Sequence, residues 1–183
     1  MRKLLTVATR GGRLAIAQTE IVSSLLKKIY PALQIETKKI TTAGDRDRRT
    51  ALWNLKDTGF FTSQVEDALL AGEADFAVHS FKDLPTRCRD GLTITAVCER
   101  QFAEDCLIAA APAGNKQGSI EQLGTSAKIG TSSLRRAAQL KHLREDLKPT
   151  SIRGNVLTRV RLLEEGKFDA VILARAGIER LGL

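Results

Sequence analysis

Nine residues, Ala77 to Pro85 (AVHSFKDLP), set a short apolar run against His79, Ser80, Lys82 and Asp83, with Pro85 breaking the chain just beyond. A strand that ends in ionisable side chains delivers them to the C-terminal edge of a sheet, where open α/β folds hold their ligands. Asp83 is the acid in that group. It is the candidate for proton transfer or for stabilising a developing cation, with His79 in a supporting role. An aspartate in a post-strand turn is more often a solvated partner of its neighbour, here Lys82, and only its place at the sheet edge argues otherwise.

Two further strand-to-helix junctions carry cations and hydroxyls: GTSSLRR (Gly130 to Arg136) and RGNVLTR (Arg153 to Arg159). In the first, Ser132 or Ser133 can cap a helix whose free N–H groups, with Thr131, Arg135 and Arg136 beside them, suit a carboxylate or a phosphate. Arg153, Gly154, Asn155 and Arg159 repeat the arrangement, and Arg10 follows the first apolar run in the same way. A capping serine with solvated arginines would look the same at any one junction, so the repetition carries the argument. One carboxylate among many guanidinium groups points to chemistry on a polyanion. Each shielded, charge-assisted contact of that kind contributes roughly 1.5–3 kcal/mol.

Composition narrows the partner. The 183 residues include 29 basic and 21 acidic side chains, a net charge of +8, and 43% of them are apolar. That supports a globular protein of one large or two small domains whose partner is negatively charged. Aromatic residues are only 4% of the chain, and the basic residues stand singly or in pairs at strand ends. Both features argue against nucleic acid and for small polycarboxylates or phosphates. No apolar run approaches the roughly 20 residues of a membrane span, and no signal-peptide pattern opens the sequence, so the expectation is a cytoplasmic protein without membrane contact. Cys88, Cys98 and Cys106 are odd in number and lack C-x-x-C spacing. They read as reduced thiols, with neither a disulfide framework nor a metal site.

The elements that must position these groups follow from periodicity. Strands are expected at Leu4–Ala8, Ile35–Ile40, Asp75–Ser80 and Leu92–Cys98. Helices are expected from Leu14 to Tyr30 and over Val65–Leu70, and Thr41–Ala51 reads as a polar loop. The pattern restarts with strands at Leu107–Ala110, Lys128–Gly130, Thr150–Ile152 and Ala170–Leu173, a polar connector over Pro112–Gly118, and helices at Ile120–Leu123, Leu134–Leu143 and Val156–Glu165. The fold class is therefore α/β in two lobes, residues 1–98 and 99–183, with a cleft between them.

Six motifs, ATRGGRLAIAQ (Ala8 to Gln18), HSFKDLP, CER (Cys98 to Arg100), GTSSLRR, RGNVLTR and AGIERLG (Ala176 to Gly182), stand in the order and spacing of the porphobilinogen deaminases, or hydroxymethylbilane synthases. The chain resembles that family over essentially its whole length. The resemblance implies three domains, the first two like type II periplasmic binding proteins, in a monomeric transferase of tetrapyrrole and heme biosynthesis. That enzyme joins four porphobilinogen units into hydroxymethylbilane with release of ammonia, primed by a dipyrromethane cofactor on a third-domain cysteine. By motif, Asp83 resembles the catalytic carboxylate. Arg10, Lys82, Thr131, Ser133, Arg135, Arg136, Arg153, Gly154 and Asn155 resemble cofactor-binding groups, as Asp83 does too, and Arg10, Arg153, Arg159 and Arg180 resemble substrate-binding ones.

Three departures accompany the match. The family loop G-K-G-x-F-x-K-E reads Asp57, Thr58, Gly59, Phe60, Phe61, Thr62, Ser63, Gln64, without its two lysines. Gly12 stands where the family usually has serine. The sequence ends at Leu183, where the family continues to its third domain, and no cysteine lies in the family's Gly-Gly-Cys context. Residues 1–183 alone are therefore expected to hold no covalent dipyrromethane and to turn over no substrate. Cys98 and Cys106 are expected to be buried in strands, and Cys88 accessible. The competing reading is a catalytically silent binding module of the same fold for a small polycarboxylate.

Overall fold

Valine and threonine at Thr6, Val7 and Thr9 favour extended backbone, and Val7, Ala8 and Thr9 are wholly buried at the middle of a parallel sheet. The computed structural model describes residues 3–42, 44, 62–110 and 119–183. These divide into two compact units, one up to Arg100 and one from Gln101 to Leu183.

In the first unit β1 (Leu4–Arg10) lies between β2 (Gln34–Ile40) and β3 (Phe76–Ala77), both parallel to it. Helix α1 (Arg13–Ile29) makes the crossover from β1 to β2. Its last turn carries Lys27 and Lys28, which suit the negative end of the helix dipole, and Pro31 prevents its continuation. Gly12, at the N-cap, offers no side-chain cap, a consequence of the departure noted above. Helix α2 (Ser63–Leu70) buries Val65 and Ala68, and Val65 packs with Ala8 and Ala74 in the core. The expected Thr41–Ala51 loop lies mostly outside the described residues, as do positions 57–61 of the departed loop.

Three expectations need correction here. Strand β1 runs two residues further than expected, because its register with β2 continues to Arg10 opposite Ile40. The third strand is shorter: after Ala77 only the Val78 N–H still reaches β1, at the Ala8 carbonyl, and residues Phe81–Asp83 wind into a 3₁₀ turn. Leu92–Cys98 forms no strand. Its alternation has strand character, but no described strand offers it a ladder, and Ile94 and Val97 are exposed. Cys98 is accordingly exposed and not buried, as Cys88 is, while Cys106 is half-buried.

In the second unit the sheet order is β4 (Asp105–Ala109), β7 (Ala170–Ala174), β5 (Lys128–Gly130), β6 (Lys148–Thr150). Strand β4 is antiparallel to β7, and β5 is parallel to both its neighbours. Strand alternation splits the core between the two faces. Ile129 and Ala170 pack with Leu140 of α3 (Leu134–Leu143) on one face; Val171 and Leu173 pack with Leu163 of α4 (Val156–Glu164) on the other. Strand β6 starts two residues before the expected Thr150–Ile152 segment: it admits Pro149 at the sheet edge, and Ile152 leaves the ladder for a side-chain partner. A short helix α5 (Arg175–Glu179), absent from the expectations, follows β7 directly, and a 3₁₀ turn stands at Ile120–Gln122. The expected connector at 112–118 lies outside the described residues.

Candidate functional site

Strands β5 and β6 are parallel neighbours, so the loops leaving their C-terminal ends emerge together. Ser132 stitches those loops: its hydroxyl donates to the Ile152 carbonyl and accepts the Ile152 N–H at 3.1 Å, and the Thr131 N–H reaches Thr150 O at 2.9 Å. The helices that follow therefore start side by side. Ser133 caps α3 by accepting the Arg136 N–H at 3.4 Å, and Asn155 caps α4 by accepting the Thr158 N–H at 2.9 Å. Of the two serines that sequence left open as caps, Ser133 has that role and Ser132 is the stitch. Thr131 accepts the Ser133 N–H at 3.3 Å. A hydroxyl used as an acceptor keeps its own O–H, so Thr131 and Ser133 still have a proton to give to an anion.

The cations differ in circumstance. Arg135 is exposed, whereas Arg136, half-buried, donates from Nε and Nη2 to Asp105 at 2.8 and 2.5 Å. Arg153 and Arg159 are partly buried, and Arg159 Nε donates to the Gly154 carbonyl at 3.0 Å. Gly154 has φ of +100°, and a Cβ there would lie 2.7 Å from that of Thr158. Arg180 closes α5, and its Nε is buried with no hydrogen-bond partner among the described residues. Asp105, and the stitching role of Ser132, were not picked out from the sequence. Both act on backbone or side-chain groups far along the chain, and no local pattern marks that.

The first unit has its own strand-end group. Arg10 closes β1, and the 3₁₀ turn after β3 carries Lys82 and Asp83, both exposed. Ser80 is held to α1 by Gln18, whose amide donates to the Ser80 hydroxyl at 3.0 Å, and the Asp83 N–H closes the turn onto Ser80 O at 2.9 Å. His79 beside them is half-buried. Burial pushes its imidazole below the ordinary histidine pKa, and Arg10 adds to that; Glu66 and Asp83 pull the other way. Among the described residues no cluster of histidine, cysteine and carboxylate side chains could hold a metal ion, and no helix is long and apolar enough to cross a membrane.

A family model described as porphobilinogen deaminase, dipyromethane cofactor binding domain, matches residues 5–183. Porphobilinogen deaminase of Sulfurimonas denitrificans is 45% identical over 181 residues, 99% of this chain and 56% of the relative. That of Syntrophomonas wolfei is 48% identical over 179 residues, 98% of this chain and 57% of the relative. The chain thus spans a little over half the length of these relatives. Among solved structures, Lactococcus lactis GlnP substrate binding domain 2 in its open conformation shows 12% identity and a TM-score of 0.49 over 94% of this chain and 68% of that one, a likeness too loose to carry the fold. A family match over nearly every residue, with the six motifs in place and identities of 45 and 48%, means that this chain belongs to the porphobilinogen deaminase family.

Proposed function

We propose that this chain is the dipyrromethane-binding and catalytic part of a hydroxymethylbilane synthase, acting on porphobilinogen in the cytoplasm as part of a monomer, with residues 1–98 and 99–183 as its two domains. The observation that carries the reading is the pair of capped helix N-termini, α3 and α4, opening side by side from adjacent parallel strands with Arg135 and Arg153 at their starts. Porphobilinogen carries an acetate and a propionate, and helix N-termini with guanidinium groups are suited to such carboxylates. The donor set fits dipyrromethane as well, since the buried Arg180 Nε lacks a partner that a carboxylate oxygen would supply. Its thiol anchor does not fit Cys88, Cys98 or Cys106, none of which stands in the attachment context. When bound, the cofactor supplies the pyrrole to which the first substrate unit is joined.

The chain's own residues do the rest. Arg135, Arg153, Arg159 and Arg180 take carboxylates, and Thr131, Ser133 and the free N–H groups at the starts of α3 and α4 orient them. Asp83 accepts hydrogen bonds from pyrrole N–H groups. It also stabilises the positive charge that develops on the substrate's methylene carbon as ammonia leaves.

The test is Asp83→Asn in the complete protein as its source makes it. The turn keeps its shape and loses its charge, so turnover should fall by about 10²–10³-fold with porphobilinogen binding changed only a few-fold. Turnover within a few-fold of the parent would reject the catalytic assignment. Absence of ammonia release by the parent would favour a silent polycarboxylate-binding module.

A further inference from the structure

His79 is a half-buried ionisable group of the first unit that the mechanism above does not use. It follows β3, whose Ala77 packs against Ala8, Val65 and Ala74. Helix α2 carries Glu66, a carboxylate only 8% exposed, with the Arg89 guanidinium 3.7 Å from it. Arg89 also pairs with Asp67 at 2.7 Å. Asp83, four residues further along, sits in the exposed 3₁₀ turn, and Arg10 comes from β1. Glu66, Asp83 and Arg10 are the charges that the imidazole feels. Its Nε2 is buried and has no hydrogen-bond partner among the described residues.

Burial keeps this ring neutral at ordinary pH. Once protonated it carries a buried N–H donor and a charge, and both demand an acceptor. Two carboxylates act on it electrostatically, Glu66 more strongly than Asp83. Glu66 is buried on a helix and committed to Arg89, whereas Asp83 is exposed on a three-residue turn, so Asp83 is the one free to respond. We propose that His79 is a positioning residue for Asp83: the neutral ring leaves the carboxylate at the sheet edge for substrate, and the protonated ring withdraws it into an ion pair. The proposal rests on the catalytic reading of Asp83 and assigns the acid limb of the enzyme's pH profile to His79.

In the complete protein, kcat should fall by about tenfold per pH unit below the His79 pKa, because only the neutral-ring form works. His79→Gln, which hydrogen-bonds without titrating, should keep its activity near neutral pH and lose this limb. His79→Asn serves if the glutamine variant fails to fold. Equal acid limbs in parent and variant would overturn the proposal. If the protein shows no turnover at any pH, the catalytic reading fails, and NMR of ¹³C-carboxyl-labelled aspartate decides the inference by itself. The Asp83 signal, identified by its absence in Asp83→Asn, should move with the His79 ring titration and cease to do so in His79→Gln. His142, the second histidine, is told apart by His142→Gln. An Asp83 signal indifferent to His79 would overturn the proposal.

Discussion

Arg136 gives two hydrogen bonds to Asp105 and sends Nη1 to the Ile172 carbonyl at 3.4 Å, whereas Arg135, one residue earlier, is exposed. Truncating them should therefore have separable effects. Arg136→Leu removes the hydrogen bonds that a half-buried guanidinium makes to Asp105 and to the Ile172 carbonyl, and should cost about 1–3 kcal/mol of stability. Arg135→Leu should leave the melting temperature unchanged and weaken porphobilinogen binding. Thermal melts beside binding isotherms check both, and a loss of stability in Arg135→Leu would contradict its placement. His79 provides a second readout at this scale. Its pKa is lower in the folded chain than the ordinary 6.5, so the unfolded chain binds the extra proton and stability is lost as pH falls below 6.5. In His79→Gln that part of the loss should vanish from denaturant midpoints measured between pH 7 and 5.

Among the elements, α4 depends on one backbone conformation. Gly154→Ala would place a side chain at positive φ and drive Thr158 away, breaking the hydrogen bonds that Thr158 makes to Asn155 from its N–H and its hydroxyl, at 2.9 and 3.1 Å. The expected cost is about 1–3 kcal/mol, with weaker carboxylate binding as the N-terminus of α4 frays. The end of α3 depends on a charge pair. Arg144, its C-cap, donates to Asp146 at 2.6 and 2.8 Å and to the carbonyls of Ile120 and Leu123 at 3.0 and 3.3 Å. The hydrogen bond from Arg144 lowers the Asp146 pKa from 3.8 to about 2. A depressed carboxylate contributes stability above its unfolded pKa and loses it as pH falls through the folded one. Asp146→Asn should therefore flatten the melting temperature between pH 4 and 2.

Helix α3 was legible in full because its signals are local: Ser133 before it, the apolar spacing of Leu134, Leu140 and Leu143, and basic residues in its last turn. Strand ends were less legible because a ladder ends where the partner ends. Sequence shows neither that Arg10 finds Ile40 opposite nor that Leu92–Cys98 finds no partner. The same holds at the site. The cations of GTSSLRR and RGNVLTR announce themselves, but the Ser132 hydroxyl that joins the two loops acts across 20 positions and leaves no local trace.

For the whole molecule, the excess of +8 is a prediction about salt. Binding of the dicarboxylate porphobilinogen should weaken about three- to tenfold between 0.1 and 1 M salt, as the screening length falls from about 10 to about 3 Å. Calorimetry at the two ionic strengths checks this, and unchanged affinity would mean that the cations are not used on carboxylates. The sheet order of the second unit has a consequence for biosynthesis. Strand β7 lies between β4 and β5, so it is the central piece and also the last made. Until Ala170–Ala174 leaves the ribosome, β4 has no neighbour and β5 has only β6, a three-residue pairing too small to stand alone. At translation rates of about 5–20 residues per second, the apolar face of β4 waits roughly 3–12 seconds for cover. Strands β1 to β3 need nothing beyond Ala77. A ribosome stalled before residue 170 thus releases a first sheet that can close and a second that cannot, and the nascent chain's exposure to chaperones and proteases falls on residues 105–169.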